Sequence, residues 1–213
     1  MIKVEDIKVA GLETAVRATR NPMSSWAKSD SDYEVANFCD HDFVIGDDDM
    51  ALMQRLFKAG VEHRTYARMI YVWMDITAPL YWWKEMDRYG VGKSQVSTST
   101  MHKIHAKEFT LDDFSHDHLT DDGLKVLQCV IDRLNVSRMF FNVLEGPEVK
   151  QYWWDMIQLL PSSYNQKRTV CMSYEVVFKI IKERTGHKLD EWKQFVEILK
   201  ELPYVKEMMG ETE

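Results

Sequence analysis

The stretch RMIYVWMDITAPLYWWKEMDRYGVGKSQVSTST, Arg68–Thr100, decides the fold. Ile70, Val72, Met74 and Ile76 alternate with Met69, Tyr71, Trp73 and Asp75. A period of two reads as a strand, and since both sets are largely apolar, cover on both faces is expected. Thr77 or Ala78 then opens a helix with Pro79 in its first turn, where a missing N–H costs nothing. On that helix Lys84 and Arg88, four residues apart, project from one face. Two cations at that spacing repel unless something anionic stands near them, and Glu85 or Asp87 can supply it locally. Gly90-Val91-Gly92 is too short for a dinucleotide fingerprint and reads as a C-cap and turn. Lys93, Ser94, Gln95, Ser97, Thr98, Ser99 and Thr100 follow, a segment rich in hydrogen-bonding groups. The window is either the rim of an anion or nucleotide site, or a helix, a turn and a polar strand.

Outward from it, Ile2, Val4, Ile7 and Val9 suggest a strand ending at Gly11, then a short helix stopped by Asn21-Pro22. The polar stretch Pro22–Glu34 reads as a loop. Gly46–Gly60 is a helix with Asp47 or Asp48 as cap and Met50, Met53, Leu56 and Phe57 as its core stripe. Further helices are expected from Asp121 to Val136 behind the cap Thr120, from Pro147 to Leu160, from Val170 to Gly186, and from Leu189 to Leu202. Residues 204–213 are expected to fray. No repeat or long linker divides the chain, so a single α+β domain over 1–213 is expected, a mixed sheet with several long helices.

Composition narrows the function. The 213 residues are 45% hydrophobic and 29% charged, enough for a core without disulfides or metal. A net charge of −7 argues against a nucleic-acid partner, which needs a concentrated basic face. No apolar run follows Met1 and none is long enough for a membrane span, so neither a signal peptide nor a membrane partner is expected. Cys39, Cys129 and Cys171 lie far apart, which suggests reduced, buried thiols in a cytoplasmic protein. His102, His105, His116 and His118 have spacings that can gather imidazoles round a metal, but the interspersed Asp112, Asp113 and Asp117 read equally well as a solvated loop.

The order of elements, with Ala78-Pro79 before the helix, the polar run after it and Leu159–Pro161 further on, resembles the flavin-dependent thymidylate synthases. Aligned without a gap from Ala78-Pro79, the family's Arg before its Arg-His-Arg motif falls on Lys84 and the first motif Arg on Arg88. The motif's His and second Arg fall on Tyr89 and Gly90. The active-site Ser falls on Lys93 beside Ser94, the Asn on Gln95, the second Ser on Thr98 and the last Arg on Thr100. The family's Gly-His is similar to Gly60 and His63, its later Asn-x-Arg falls on Ser173 and Glu175, and an Arg closing the next helix is kept as Arg184. The resemblance implies the thymidylate-synthase-complementing-protein-like fold and an FAD-dependent methyltransferase that converts dUMP to dTMP with methylenetetrahydrofolate. It also implies a homotetramer with sites between subunits. His63, Lys84, Arg88, Lys93, Ser94 and Gln95 would then hold flavin, and Thr98, Thr100, Ser173 and Arg184 the nucleotide; no catalytic residue is assigned. Gly90, Thr100 and Glu175 lack the family's guanidinium groups. At ~1.5–3 kcal/mol for each charged hydrogen bond lost, the original affinity would not survive uncompensated. A binding or structural homologue without catalysis therefore stands beside the enzyme reading, and a metal-dependent enzyme built on the histidines is a third.

Overall fold

A computed structural model of the chain describes residues 1–37 and 40–210. Six strands are present: β1 (Lys3–Ala10), β2 (Asp32–Asn37), β3 (Asp40–Val44), β4 (Tyr71–Pro79), β5 (Lys93–Ser97) and β6 (Asn165–Ser173). The helices are α1 (Leu12–Thr19), α2 (Asp47–Ala59), α3 (Leu80–Met86), α4 (Asp121–Val143), α5 (Val149–Gln158), α6 (Tyr174–Arg184), α7 (Asp190–Lys200) and α8 (Val205–Met209). Four strands form a sheet in the order β1-β4-β6-β5, and β2 pairs antiparallel with β3. The fold is mixed helix and sheet. Two compact units make it up: one comprises Met1–Glu5, Asp75–Arg88 and Gln95–Thr169, the other Asp6–Met74, Tyr89–Ser94 and Val170–Glu213.

In the first unit, α4 and α5 bury Leu127, Ile131, Leu134 and Met156 with Ile104, Phe109 and Phe114. Thr120 caps α4 by accepting from the Gly123 N–H at 3.2 Å, as its sequence position suggests. Asn135 on α4 donates to the Phe109 carbonyl at 2.8 Å and accepts its N–H at 2.9 Å, so an irregular segment keeps its polar groups satisfied. Thr77, Ala78 and Pro79 all lie outside the helix that Thr77 or Ala78 was expected to open, with Pro79 in its first turn. Pro79 ends β4 with φ −68° and ψ 151°, and the first free N–H groups of α3, on Leu80 and Tyr81, donate to Tyr164 and Ser162 carbonyls at 3.0 Å each.

The second unit is centred on α6, α7 and α8. Tyr174, Val177, Phe178 and Ile181 of α6 and Trp192, Phe195, Val196 and Leu199 of α7 are buried where the two helices meet. Gly11 starts α1 at φ 97°, and a Cβ there would stand 2.3 Å from the Met69 carbonyl oxygen, so only glycine fits. The unit also corrects several sequence expectations. Val170–Ser173, read as helix, is strand, because burial alternates through Val170 and Met172. The hairpin β2–β3 replaces the end of an expected loop, with Tyr33 opposite Phe43. Residues 204–210 do not fray as expected: α8 buries Val205 and Met208, and Gln54 donates to the Glu207 carbonyl at 2.8 Å; 211–213 lie outside the described residues. On β4, Ile70, Val72 and Met74 are buried as expected, but Met69, Tyr71 and Trp73 are 43%, 37% and 39% exposed. The second face of that strand is thus open in the single chain. Cys129 is exposed rather than buried and Cys171 is half-buried, while Cys39 lies outside the described residues.

Candidate functional site

The helix α3 ends at Met86, so the pair Lys84 and Arg88 is only half helical. Lys84 sits in the last turn, and Arg88 lies beyond the C-cap Asp87 in the following turn. Both side chains are exposed, and neither has a hydrogen bond or ion pair among the described residues. The local carboxylate that might have tied up Arg88 is turned elsewhere. Asp87 accepts from Gln95 Nε2 at 2.7 Å and from Arg168 Nη1 at 2.9 Å.

Arg168, which the sequence reading passed over, organises this part of the first unit. Its guanidinium lies over the Trp83 ring at 4.3 Å, and its Nε donates to Gln166 Oε1 at 3.0 Å. Gln166 in turn donates to the Thr98 carbonyl at 2.7 Å, and its own carbonyl accepts from Trp83 Nε1 at 2.9 Å. Thr98 binds the Lys167 carbonyl through its N–H at 2.9 Å and its hydroxyl at 3.2 Å. Next along β6, Lys167 and Thr169 contact Asp75 at 2.7 and 2.6 Å and hold its carboxyl below the usual carboxylate range. The result is a rigid, hydrogen-bonded strip beside two bare cations. Such a strip can position an anion.

Lys93, Ser94, Ser173, His63 and Arg184 belong to the second unit. Gly92 adopts φ 78° and its carbonyl accepts the Ser173 N–H at 3.0 Å, which seats the turn against the buried Ser173. Lys93 is half-buried; Ser94 and His63 are exposed. Arg184 is enclosed by aromatic rings, over Trp192 at 4.4 Å and Tyr89 at 5.6 Å. Its Nε donates to the Tyr89 hydroxyl at 2.8 Å, and its Nη1 meets His187 Nε2 at 3.1 Å. The Tyr89 hydroxyl donates to Glu183 at 2.9 Å, and burial first, then Glu183, raises its pKa despite Arg184. Glu175, the reversed charge, is neutralised: Arg64 grips it with two parallel bonds, 2.8 and 2.9 Å, and stands over the Phe57 ring at 4.8 Å. Thr100 is half-buried in the first unit.

The histidines do not converge. His116 Nδ1 bonds the Phe114 carbonyl at 2.8 Å, and the His105 ring packs on Phe141 at 4.6 Å. Among the described residues no group of three or more His, Cys, Asp or Glu is placed to hold a metal. No described helix is long and apolar enough to cross a membrane.

No family model and no curated protein sequence matches the chain. Solved structures do. Thymidylate synthase X (ThyX) from Helicobacter pylori, with FAD and dUMP, is 16% identical, with a TM-score of 0.66 over 98% of this chain and 97% of its own. A second structure of that flavin-dependent enzyme, complexed with FAD and dUMP, is 15% identical at TM-score 0.66, covering 96% and 97%. The UMP/dUMP methylase PolB from Streptomyces cacaoi, bound with 5-Br dUMP, is 13% identical at TM-score 0.62, covering 98% and 94%. The chain has the ThyX fold, in a sequence that has diverged far from these neighbours.

Proposed function

We propose that this chain binds a nucleotide or flavin through its phosphate, with Lys84 and Arg88 as the anion-pairing groups. One observation carries the reading. On a fold shared with enzymes solved with FAD and dUMP, two cations stand exposed and unpaired where an alignment with that fold's signature puts Arg residues. Lys84 offers a point charge and Arg88 a planar fork, so a phosphate is better matched than a carboxylate. These residues fit the phosphate-bearing part of FAD. When bound, a reduced flavin supplies hydride; the protein's own part is to pair the phosphate and orient the ring system. The wider reading is a homo-oligomeric enzyme that methylates dUMP to dTMP, as a tetramer. The exposed Met69, Tyr71 and Trp73 face of β4 supports self-association, since a patch of this kind gains by being covered.

Thermal shift and calorimetry with FAD and with dUMP test the binding. Stabilisation by either, lost in Lys84→Ala/Arg88→Ala, supports the reading; no response to either at millimolar concentration rejects it. Light scattering that finds only monomer rejects the tetramer.

A second reading, a binding protein without catalysis, is favoured by the way Arg184 and Glu175 are held. Both are engaged by Tyr89, Trp192 and Arg64 of their own unit. Complementation of a thymidine-requiring strain separates the two, since growth without thymidine defeats the inactive reading.

A further inference from the structure

A cavity of about 260 Å³ lies in the second unit among α1, the turns that follow it and the β2–β3 hairpin. Arg17, Arg20, Glu13 and Asp32 line it together with the rings of Trp26, Tyr33 and Phe43. Arg20 is only 7% exposed. Its Nε donates to Asp49 Oδ1 at 2.7 Å, and Asp49 Oδ2 is taken by Ser29 and Ser31 at 2.5 and 2.7 Å. The other end of the guanidinium is not provided for. Arg20 Nη2 is buried and has no hydrogen-bond partner among the described residues. A buried charged donor left unsatisfied is costly, and the Arg20 side chain adds its positive charge to the cavity wall that it lines.

Arg17 lies three residues earlier on the same helix face, exposed and without an ion pair among the described residues. Glu13, four residues before Arg17, accepts the Tyr33 hydroxyl at 2.7 Å, and Asp32 Oδ1 accepts the Tyr33 N–H at 2.8 Å. The rings are set rather than loose. Trp26 Nε1 donates to Asn21 at 2.8 Å, and Tyr33 meets Phe43 edge to face at 5.3 Å. Yet Trp26 and Tyr33 are each 47% exposed, which is wasteful for rings of that size unless something covers them.

The lining carries two guanidinium groups and two carboxylates. A phosphate dianion would be repelled by Glu13 and Asp32. An uncharged ring would leave the charges of Arg17 and Arg20 at the cavity wall unanswered. A zwitterion answers both signs: a carboxylate for Arg17 and Arg20, an ammonium for Glu13 and Asp32, and an apolar ring for the aromatic wall. The volume lies just under the usual range for small-molecule pockets, which suits a ligand of roughly a dozen heavy atoms. We propose that this cavity is a binding site for a free aromatic α-amino acid, separate from the Lys84 and Arg88 cations.

Calorimetry on the whole chain with L-phenylalanine, L-tyrosine and L-tryptophan tests it. The analogue arms are 3-phenylpropanoate, which lacks the ammonium, phenethylamine, which lacks the carboxylate, and inorganic phosphate. At least one amino acid is expected to bind with a Kd below about 1 mM, with every analogue at least about tenfold weaker. Arg17→Ala and Trp26→Ala, both at exposed positions, are expected to weaken that binding at least about tenfold with an unchanged melting temperature. No heat with any amino acid at about 10 mM overturns the proposal. So does an analogue or phosphate that binds as tightly as the amino acid, or binding that survives both substitutions unchanged.

Discussion

The resemblance read from the sequence sets Lys84 and Arg184 both opposite family arginines, and the molecule treats the two in opposite ways. Lys84 ends a short helix in solvent with no partner among the described residues. Arg184 ends a longer one inside a cage of Tyr89, Trp192 and His187. A cation satisfied on several sides by its own protein contributes to folding and has little left to offer a ligand. A bare cation contributes almost nothing to folding and keeps its full donor set. Position in an alignment does not separate these roles; the contacts do. The contrast extends to Arg64 and Arg88, one clamped bidentately on Glu175 and the other free of ion pairs among the described residues.

The contrast breaks most sharply at Glu175. If Glu175 is a structural replacement, Glu175→Arg should be the most damaging change of this set. It would set two guanidinium groups against each other at a site where the native side chains are 14% and 18% exposed. A loss of about 3–5 kcal/mol is expected in urea unfolding. The double change Glu175→Arg/Arg64→Glu, which restores a pair in reverse, should recover more than half of it. A stable Glu175→Arg protein with new affinity for dUMP would instead make position 175 part of a binding site.

The pair Arg20–Asp49 comes next. Burial pushes the Asp49 carboxyl pKa up, but hydrogen bonds from Ser29, Ser31 and Arg20 outweigh it and set the pKa below its ordinary value. The folded pKa is thus lower than the unfolded one. The stabilisation is complete above the ordinary carboxylate range and is lost as pH falls through the depressed folded value. Asp49→Asn should cost about 3 kcal/mol at neutral pH and flatten the acid limb of a stability–pH profile. An unchanged acid limb would remove Asp49 as its source.

Removing the caged cation is the milder version of the same test. Arg184→Ala should lower stability by about 2 kcal/mol, through lost ring contacts and the lost hydrogen bond to the Tyr89 hydroxyl. Guanidine unfolding reads the loss, and Arg184→Lys should recover only part of it because an ammonium cannot lie flat on Trp192 while reaching Tyr89. If Arg184→Ala leaves stability untouched but abolishes nucleotide binding, the cage is a ligand site rather than a structural one.

How much of this was legible in the sequence depends on whether a feature is local. The β4 strand, the Thr120 cap and the span of α2 could be read because their signals lie within a few residues of each other, whereas the α2 cap was misread: Gly46, not Asp47 or Asp48, stands there, with no side-chain hydrogen bond. The placing of Arg88 on the helix with Lys84 was misread, since α3 already ends at Met86. The helical reading of Val170–Ser173 failed because Val170 and Met172 fit either period until burial decides between them. Arg168 was missed because its meaning lies in Trp83, 85 positions earlier, and in Asp87 beyond it. Arg64 was missed likewise, since its partner Glu175 is 111 residues away. The hairpin hid in a polar stretch whose only signal was Tyr33 set against Phe43.

The smallest stability effect belongs to the residues with the largest proposed role. Lys84→Ala and Arg88→Ala, alone or together, should shift unfolding free energy by no more than about 0.5 kcal/mol, because each side chain is exposed and unpaired. Any stabilisation by FAD or dUMP should nevertheless fall away in the double variant. Each lost charged contact to a phosphate is worth about 1.5–3 kcal/mol, or roughly tenfold to a hundredfold in affinity. Because that contact is electrostatic and exposed, wild-type affinity should also weaken as salt is raised, and the double variant should be nearly indifferent to it. A wild-type affinity that ignores salt, or a double variant that still binds as the wild type does, would place the ligand away from α3 and leave Lys84 and Arg88 as ordinary surface charges.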